Sequence, residues 1–146
     1  MRVRSFEAAD ETAVVDLWRR CKLVRPWNDP RRDIARKARI QPELFLVGVV
    51  EGKIVASVMA GYDGHRGWIN YLAVSPSHQR VGLGRALMAE AERRLEALGC
   101  PKVNLQVRAD NPGAIEFYRR AGYQVDDVIG LGKRLVADQD PNSGSR

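Results

Sequence analysis

A glycine-containing stretch lies where a predicted strand is followed by a long predicted helix, and its residue types suit the binding of an anion. The stretch reads Gln79-Arg80-Val81-Gly82-Leu83-Gly84, and Arg85 follows it. Glycine allows the backbone to approach a ligand closely, and the free N–H groups of a first helical turn point outwards at the positive end of the helix dipole. The pattern predicts a cradle for a phosphate group, although an ordinary junction of loop and helix would explain the two glycines equally well.

Two better-known phosphate-binding motifs fit these residues less well. A P-loop ends in Gly-Lys-Ser or Gly-Lys-Thr, whereas Gly84 is followed by Arg85 and Ala86. A dinucleotide-binding fingerprint needs a glycine or an alanine at position 87, where Leu87 stands, and it belongs in the first strand–helix unit. Both motifs are therefore disfavoured.

A tyrosine in a later predicted helix lies at a defined spacing from small and polar residues. Tyr118 comes seven residues after Asn111 and four residues before Gly122. Ala114 and Tyr118 are one helical turn apart and share a helix face. This helix is the second segment in which side chains that could do chemistry fall on one side of an element.

The hydrophobic period changes along the chain and predicts the elements that hold these residues. The expected strands cover residues 2–7, 44–50, 53–62, 68–74 and 102–107, with two short closing strands within 123–136. One helix follows a cap at Asp10, and the others cover 30–39, 82–98 and 112–121. The third helix carries an apolar stripe of Leu83, Leu87, Ala91, Leu95 and Leu98. Strands interleaved with helices, beside an antiparallel hairpin, indicate a mixed α/β or α+β sheet.

Length and composition predict a single globular domain. The chain has 146 residues, of which 45% are hydrophobic and 29% are charged, so it can bury one core. We assign residues 1–137 to the domain and expect 138–146, which are polar, to form a frayed tail. Neither a signal peptide nor an apolar run of about 18 residues is found, so we expect a cytoplasmic protein with no membrane partner. Cys21 and Cys100 form no paired motif and lie near no histidine cluster, so we expect no metal site.

The positive charge is concentrated near the beginning of the chain. The net charge is +6, and the densest basic run contains Arg31, Arg32, Arg36, Lys37 and Arg39. No zinc-finger, RNP-type or basic-zipper pattern accompanies this run. We interpret it as a solvated helix face and expect no nucleic-acid partner, with a surface for a polyanion or an acidic partner as the alternative.

Three segments, taken in order, resemble the GCN5-related N-acetyltransferase (GNAT) superfamily over nearly the whole chain. Leu72-Ala73-Val74 resembles the end of the family's fourth strand, Gln79-x-x-Gly82-x-Gly84 its pyrophosphate loop, and Asn111…Tyr118…Gly122-Tyr123 its late helix. Residues 25–30, 61–67 and 132–135 are similar to the bacterial YpeA-type acetyltransferases, whose acceptor is poorly defined. The resemblance implies a mixed, mostly antiparallel sheet with splayed central strands and about four flanking helices.

The resemblance also implies acetyl-CoA as cosubstrate and assigns roles to individual residues. In this family the pantetheine arm lies between the splayed fourth and fifth strands, where backbone groups pair with it as a strand would. The implied contacts to acetyl-CoA come from Leu72, Ala73, Val74, Gln79, Arg80, Val81, Gly82, Leu83, Gly84, Arg85, Asn104, Asn111 and Ala114. Tyr118 is the implied general acid, because a phenol with a pKa of about 10 can protonate the departing thiolate. The alternative for Tyr118 is an aromatic packing pair with Phe117.

The general base and the acceptor site are less well defined. Many relatives carry a glutamate on the fourth strand just before Leu-Ala-Val, where this sequence has Asn70 and Tyr71. A chain of water molecules or a residue of the adjoining turn would then remove the proton, although turn formation alone explains Asp63-Gly64. We expect the substrate site to draw on Trp27, Asn28, Asp63, His65 and Asn70. A covalent acyl-cysteine route is disfavoured.

The sequence therefore predicts an N-acetyltransferase that moves an acetyl group from acetyl-CoA to a primary amine by direct attack on the thioester. The acceptor is either a small molecule or a peptide. The alternative is a catalytically idle acyl-CoA-binding regulatory module of the same fold. Whether two chains pair into a homodimer through an exposed sheet edge is left open.

Overall fold

The computed structural model describes residues 1–138, which form a five-stranded sheet covered by helices on both faces. The strands lie in sequence order and are β1 (Arg2–Ser5), β2 (Phe45–Val50), β3 (Lys53–Tyr62), β4 (Gly67–Val74) and β5 (Val103–Leu105). Neighbours are antiparallel except for β4 and β5, which are parallel. The helices are α1 (Glu11–Arg20), α2 (Pro30–Lys37), α3 (Leu83–Ala97) and α4 (Pro112–Arg120). The predicted mixed, mostly antiparallel sheet with four helices is confirmed.

Each face of the sheet buries its own apolar cluster, because alternate residues of a strand point to opposite faces. Helices α1 and α2 cover one face with Val14, Leu17, Trp18 and Ile34, which pack on Phe45, Val47, Val49, Met59 and Ala73. Helix α3 covers the other face with Leu87, Met88, Ala91 and Leu95, and α4 adds Phe117 and Tyr118. Since both faces of β2 and β3 are buried, these strands have the continuous apolar sequences that the period analysis detected.

The apolar stripe predicted for α3 is buried only in part. Leu87, Ala91 and Leu95 are completely buried, whereas Leu98 is 49% exposed. Leu98 lies beyond the last helical residue, and Gly99 ends the helix in the left-handed conformation with φ of +89°. The predicted glycine terminus is therefore confirmed, and the stripe ends one turn earlier than its spacing suggested.

The two closing strands predicted within 123–136 are absent from the described part of the chain. Six large apolar side chains of this segment, Val125, Val128, Ile129, Leu131, Leu135 and Val136, are 63–93% exposed. Side chains fix the segment instead: Lys102 Nζ lies 2.8 Å from Asp126 Oδ2, and Arg134 donates to Asn28 Oδ1 at 2.7 Å. The prediction was wrong because alternation shows only that a strand could form, whereas a strand needs a backbone ladder on a neighbour.

The residue predicted to cap α1 has different partners. The Asp10 carboxylate accepts hydrogen bonds from the Arg4 guanidinium at 2.7 and 2.9 Å and from the Glu7 N–H at 2.8 Å. Arg4 thereby holds the pKa of Asp10 below its usual range. No side chain of residues 1–138 caps α1. At α2, in contrast, Asp29 Oδ1 accepts the Arg31 N–H at 2.9 Å, and the helix begins at Pro30 as predicted.

The last described residue is packed against α2. The Asp138 carboxylate accepts hydrogen bonds from Arg36 Nη2 at 2.5 Å and from the Asp29 N–H at 3.0 Å. The Arg36 guanidinium, helped by that N–H, lowers the pKa of Asp138 to about 2. The tail expected at 138–146 therefore has a buried first residue, and 139–146 lie outside the described residues. Within residues 1–138, no helix has the length and apolar character needed to cross a membrane.

Strand β4 contains a bulge that changes which way its backbone groups point. Ala73 lies opposite Ser57 and Asn70 lies opposite Met59, so two residues of β4 face one residue of β3. The first of the two, Tyr71, has a left-handed φ of +53°, which costs free energy for a residue with a side chain. The rest of the fold must therefore stabilise this conformation.

A hydrogen-bonded relay from α1 stabilises the bulge. The Trp18 indole N–H donates to Ser57 Oγ at 2.8 Å, and the Ser57 hydroxyl donates to the Tyr71 carbonyl at 2.9 Å. The Trp18 and Tyr71 rings stack with centroids 3.8 Å apart. Ser57 and Trp18 are both fully buried, so neither can exchange its partner for water.

We expect Ser57→Ala to lower the free energy of unfolding by about 1–3 kcal/mol, because it leaves a buried indole N–H and a buried carbonyl without partners. Urea unfolding followed by circular dichroism would measure the change. Ser77→Ala is the matched control: Ser77 is exposed, and its loss should cost less than about 0.5 kcal/mol. Equal values for the two variants would contradict a stabilising role for the relay.

Candidate active site

A gap opens in the sheet where β4 continues beyond the end of β5. The parallel ladder pairs Gly67, Trp68 and Ile69 with Val103, Asn104 and Leu105, and it ends there. From residue 70 to Val74, β4 has β3 on one side and no other strand of the described chain on the other. This opening corresponds to the splay expected between the central strands.

The backbone of β4 directs hydrogen-bonding groups into the gap. The Ser75 N–H donates to the Val55 carbonyl of β3 at 2.7 Å, so the backbone groups of alternate residues, Val74 and Leu72, point away from β3. The Val74 carbonyl accepts from Gln79 Nε2 at 3.0 Å and from Cys21 Sγ at 3.2 Å. The bulge determines which alternate residues of β4 direct their backbone groups into the gap. Without the extra residue, the other set of backbone groups would face the gap.

The predicted anion cradle lies directly after β4, at the beginning of α3. Gly82 has a left-handed φ of +85°, and Arg80 has one of +66°. Within residues 1–138 no side chain caps the helix, and its first turn contains no acidic residue. The N–H groups of Leu83, Gly84 and Arg85 are therefore available to an anion, with the helix dipole behind them.

Gly84 also has a packing role that the sequence did not suggest. A Cβ at this position would lie 3.3 Å from Val74 Cγ2 and 3.4 Å from Phe117 Cζ. The missing side chain thus lets α3 approach both β4 and α4. Gly84 is therefore needed for close packing as well as for the proposed anion cradle. Gly82, in contrast, has open space around it, and only its left-handed backbone angle requires a glycine.

Tyr118 lies on the α3/α4 face of the sheet, in the cluster that contains Leu72 and Val74. Its ring makes edge contacts with Phe117 at 5.1 Å and with Tyr123 at 5.7 Å between centroids. Burial raises the pKa of the Tyr118 phenol to about 12, so the group keeps its proton at neutral pH. The predicted aromatic pair is therefore present, and the protonation state is the one that a general acid needs.

The remaining residues expected to contact acetyl-CoA lie on β5 and at the start of α4. Asn111 caps α4, since its Oδ1 accepts the Ala114 N–H at 3.1 Å. Ala114 is half-buried on the first turn of that helix. Asn104 lies on β5 opposite Trp68, just before the ladder ends.

A cavity of about 400 Å³ lies on the other face, between β4 and α2. It is lined by Asn28, Asp33, Arg36, Lys37, Ile40, Met59, Asn70 and Tyr71. The structure therefore brings together two of the predicted substrate residues, Asn28 and Asn70. The Tyr71 hydroxyl donates to Asp33 Oδ2 at 2.6 Å, and burial together with Asp33 raises the pKa of that phenol.

The other predicted substrate residues lie outside this cavity lining. Asp63 Oδ1 accepts the backbone N–H groups of His65 at 2.8 Å and Arg66 at 2.7 Å, which lowers the pKa of Asp63. This is turn formation, and it makes Asp63 a weaker base. His65 is exposed in the same turn. Trp27 is 46% exposed, and the Arg108 guanidinium lies 5.8 Å from the centre of its ring.

Cysteine and metal chemistry have no support in the described part of the chain. Cys21 and Cys100 are free thiols, and burial raises the pKa of Cys21, which disfavours its thiolate. No group of three or more His, Cys, Asp or Glu side chains among residues 1–138 could hold a metal ion.

Sequence analysis missed several residues that shape the site. Ser57 is a polar residue inside an apolar strand, which was a usable signal, and the relay partner Trp18 looked like an ordinary core residue. Tyr71 was noted only as an unsuitable base. Asp33 and Lys37 lie within a charged helix, where no local pattern separates a cavity residue from a solvated one.

Comparison with known proteins agrees with this geometry. Residues 12–123 match the model of the Acetyltransferase (GNAT) family. The chain is 50% identical over 140 residues to acetyltransferases from Yersinia enterocolitica and Pectobacterium atrosepticum, covering 96% of this chain and 99% of each relative.

Solved structures give the same result. Ard1 from Thermoplasma volcanium superposes with a TM-score of 0.71 and 26% identity, covering 86% of this chain and 83% of that one. The Escherichia coli ribosomal-protein-S18-alanine N-acetyltransferase superposes with a TM-score of 0.69 and 28% identity, covering 83% and 76%. With its splayed β4 and β5, its uncapped α3 and these matches, the chain belongs to the GNAT family of acetyltransferases.

Proposed function

We propose that this acetyltransferase binds acetyl-CoA along the free edge of β4 and transfers the acetyl group to a primary amine that enters from the α2 side. The observation that carries the proposal is the gap beside β4, which ends at the uncapped first turn of α3. A strand edge suits the amides of a pantetheine arm, and a helix N-terminus suits a pyrophosphate. Eight residues separate the two features along the chain, since β4 ends at Val74 and α3 begins at Leu83.

The residues of the cradle fit a pyrophosphate in charge as well as in shape. Arg80 and Arg85 are exposed beside the free N–H groups, so both can turn towards an anion. The Gln79 amide holds the Val74 carbonyl and leaves the Val74 N–H as the donor that faces the gap. On the far side of the gap, Asn104 and Asn111 lie where the proposal places further contacts to acetyl-CoA.

Acetyl-CoA supplies the acetyl group as a thioester, and the chain's own residues would hold it and handle the protons. The amine attacks the thioester carbon, and the C–N bond forms as the C–S bond breaks. The departing sulfur takes the Tyr118 proton, and the phenolate left behind then takes a proton back from solvent, since burial raises the pKa of this phenol to about 12. We infer that water removes the proton from the attacking amine, because the Asp63 carboxylate is already bound by its own turn.

The idle regulatory module is the less favoured alternative. The relatives that this chain matches over 99% of their length are named acetyltransferases. An idle module would bind acetyl-CoA without accelerating transfer, so binding and turnover must be measured separately.

Acetyl-CoA at a hundredfold excess over Kd should stabilise the protein by about 2.7 kcal/mol, or by roughly 5–10 °C in Tm for a chain of this size. Gly82→Val should abolish the shift, because a side chain at a left-handed φ distorts the cradle. Gly52→Val is the matched control, with a φ of +76° and equally open surroundings in the β2–β3 turn. An equal Tm shift with ATP or NAD, or an unchanged shift in Gly82→Val, would place the anion site elsewhere.

Tyr118→Phe should lower kcat by about 100-fold or more while the Kd for acetyl-CoA changes by less than about twofold. Release of free CoA in the presence of an amine acceptor would be followed with a thiol reagent. Tyr123→Phe is the control, since it removes a neighbouring phenol that donates to Glu92 Oε2 at 2.5 Å. Equal turnover of Tyr118→Phe and the wild type would exclude the acid role.

We further propose that two chains pair through the exposed apolar segment 125–136, which offers a nonpolar surface of the kind that protein interfaces cover. Light scattering after size exclusion should then give the mass of a dimer. Leu131→Glu, at a residue that is 93% exposed, should shift the protein to a monomer. Leu98→Glu, at a residue that is 49% exposed just after α3, is the control, and a monomeric wild type would exclude the pairing.

A further inference from the structure

A lysine at the end of α2 is buried beside the β4 cavity without a partner. Lys37 is 9% exposed, and its ammonium group forms no hydrogen bond or ion pair with any described residue. Its Nζ lies 3.5 Å from the place that a Cβ would take at Gly61 on β3, which is an ordinary contact distance. Glu43 favours the charged form from a distance but does not bond to it.

The Lys37 stem is buried, whereas its ammonium group keeps some contact with solvent, because every fully buried side-chain nitrogen or oxygen among the described residues has a hydrogen-bond partner. Partial burial still penalises the charged form and lowers the pKa of Lys37. An apolar side chain would pack at the same place without this cost. The ammonium group is therefore able to bind a negatively charged partner that enters from the cavity.

The other charged groups at the cavity already bind one another. Arg36 binds Asp33 Oδ1 at 3.2 Å and Asp138 Oδ1 at 2.5 Å. Asp33 also accepts the Tyr71 hydroxyl. Lys37 is therefore the one charged side chain of this lining that has no hydrogen-bond or ion-pair partner among the described residues. Its free ammonium donors suit the carboxylate of a ligand, and the nearby Asp33 carboxylate disfavours a ligand that carries two negative charges.

We propose that the acceptor is an amine that carries a carboxylate and is about the size of an amino acid, and that Lys37 binds this carboxylate. The inference rests on the proposed function, since it names the substrate class of that site. The cavity of about 400 Å³ is at the small end of the range for ligand sites. With the carboxylate at Lys37, the amine would lie towards Asn70, where the free edge of β4 begins.

Lys37 also borders a second cavity of about 360 Å³, between α1, α2 and β2. Apart from Glu11 its other lining residues are apolar, including Phe6, Ile34 and Phe45. The cavity beside β4 contains the amide, hydroxyl and guanidinium groups that an amino acid needs, so we place the acceptor there.

The test compares each of the twenty L-amino acids with its own carboxamide as acceptor, by release of CoA from acetyl-CoA. At least one amino acid should exceed its carboxamide in kcat/KM by about tenfold or more, as expected for a charge-assisted hydrogen bond. Lys37→Met should reduce this ratio to about one, Lys37→Arg should keep part of it, and Lys53→Met, at an exposed lysine, should leave it unchanged. Lys37→Met should also unfold at the same Tm as the wild type or at a higher one.

Several outcomes would overturn the inference. The inference would be wrong if every carboxamide had the same kcat/KM as its amino acid. It would also be wrong if Lys37→Met lowered kcat/KM equally for an amino acid and for its carboxamide. Comparing O-phosphoethanolamine with ethanolamine as acceptors tests for a phosphate in place of the carboxylate. If only this pair showed a preference that depends on Lys37, the group bound by Lys37 would be a phosphate and the carboxylate proposal would be wrong.

A binding measurement decides the matter without turnover. N-acetylated amino acids and their uncharged amides would be titrated into the protein with CoA present, and the 13C shift of the Lys37 Cε would be followed by NMR. Failure of every N-acetylated amino acid to bind through Lys37 would overturn the inference, while an intact Tm shift with acetyl-CoA would leave the proposed function standing. Loss of the acetyl-CoA shift in the wild type would instead refute the proposed function.

Discussion

The bulge at Tyr71 is the constraint on which the geometry of the site depends. A single extra residue in β4 reverses which backbone groups face β3 and which face the gap. The left-handed conformation of Tyr71 is unfavourable by itself, and the relay from Trp18 through Ser57 stabilises it from the interior of the protein. A buried indole on α1 thus determines the hydrogen bonds that an open strand edge can offer to a ligand.

The two faces of the sheet carry different parts of the proposed site. The α3/α4 face contains the uncapped helix start and the Tyr118 phenol, to which we assign the proposed contacts with acetyl-CoA. The α1/α2 face contains the charged cavity, in which we propose that the acceptor binds. The gap between β4 and β5 is the place where the two faces communicate, because the strands that would separate them diverge there. Proton donation and acceptor recognition can therefore vary independently within one fold.

Features of the fold and of the site can be predicted from the sequence when the interacting residues are close together along the chain. The helix start near Gly82 and the succession of strand segments along the chain follow from neighbouring residues, and these predictions agree with the structure. The relay joins residues 39 and 14 positions apart, and no local pattern reports such contacts. Lys37 follows Arg36 in a basic helix, yet one is buried and the other is exposed, because only the tertiary fold decides which side faces β3. The closing strands failed for the same reason, since pairing depends on a partner elsewhere.

The contact between Arg36 and Asp138 leads us to expect that the acceptor side and the nucleotide side of the site form at different times during folding. It joins residues 102 positions apart, whereas Gln79 and Val74, which shape the nucleotide side, are five apart. Closing a long loop is entropically more expensive than closing a short one, so we expect the wall made by α2 and Asp138 to assemble late. For the same reason we expect that wall to open at a lower free energy than the nucleotide side in the native state. Hydrogen exchange would accordingly be faster in α2 than in α3, and the acceptor side can open while the nucleotide side remains formed.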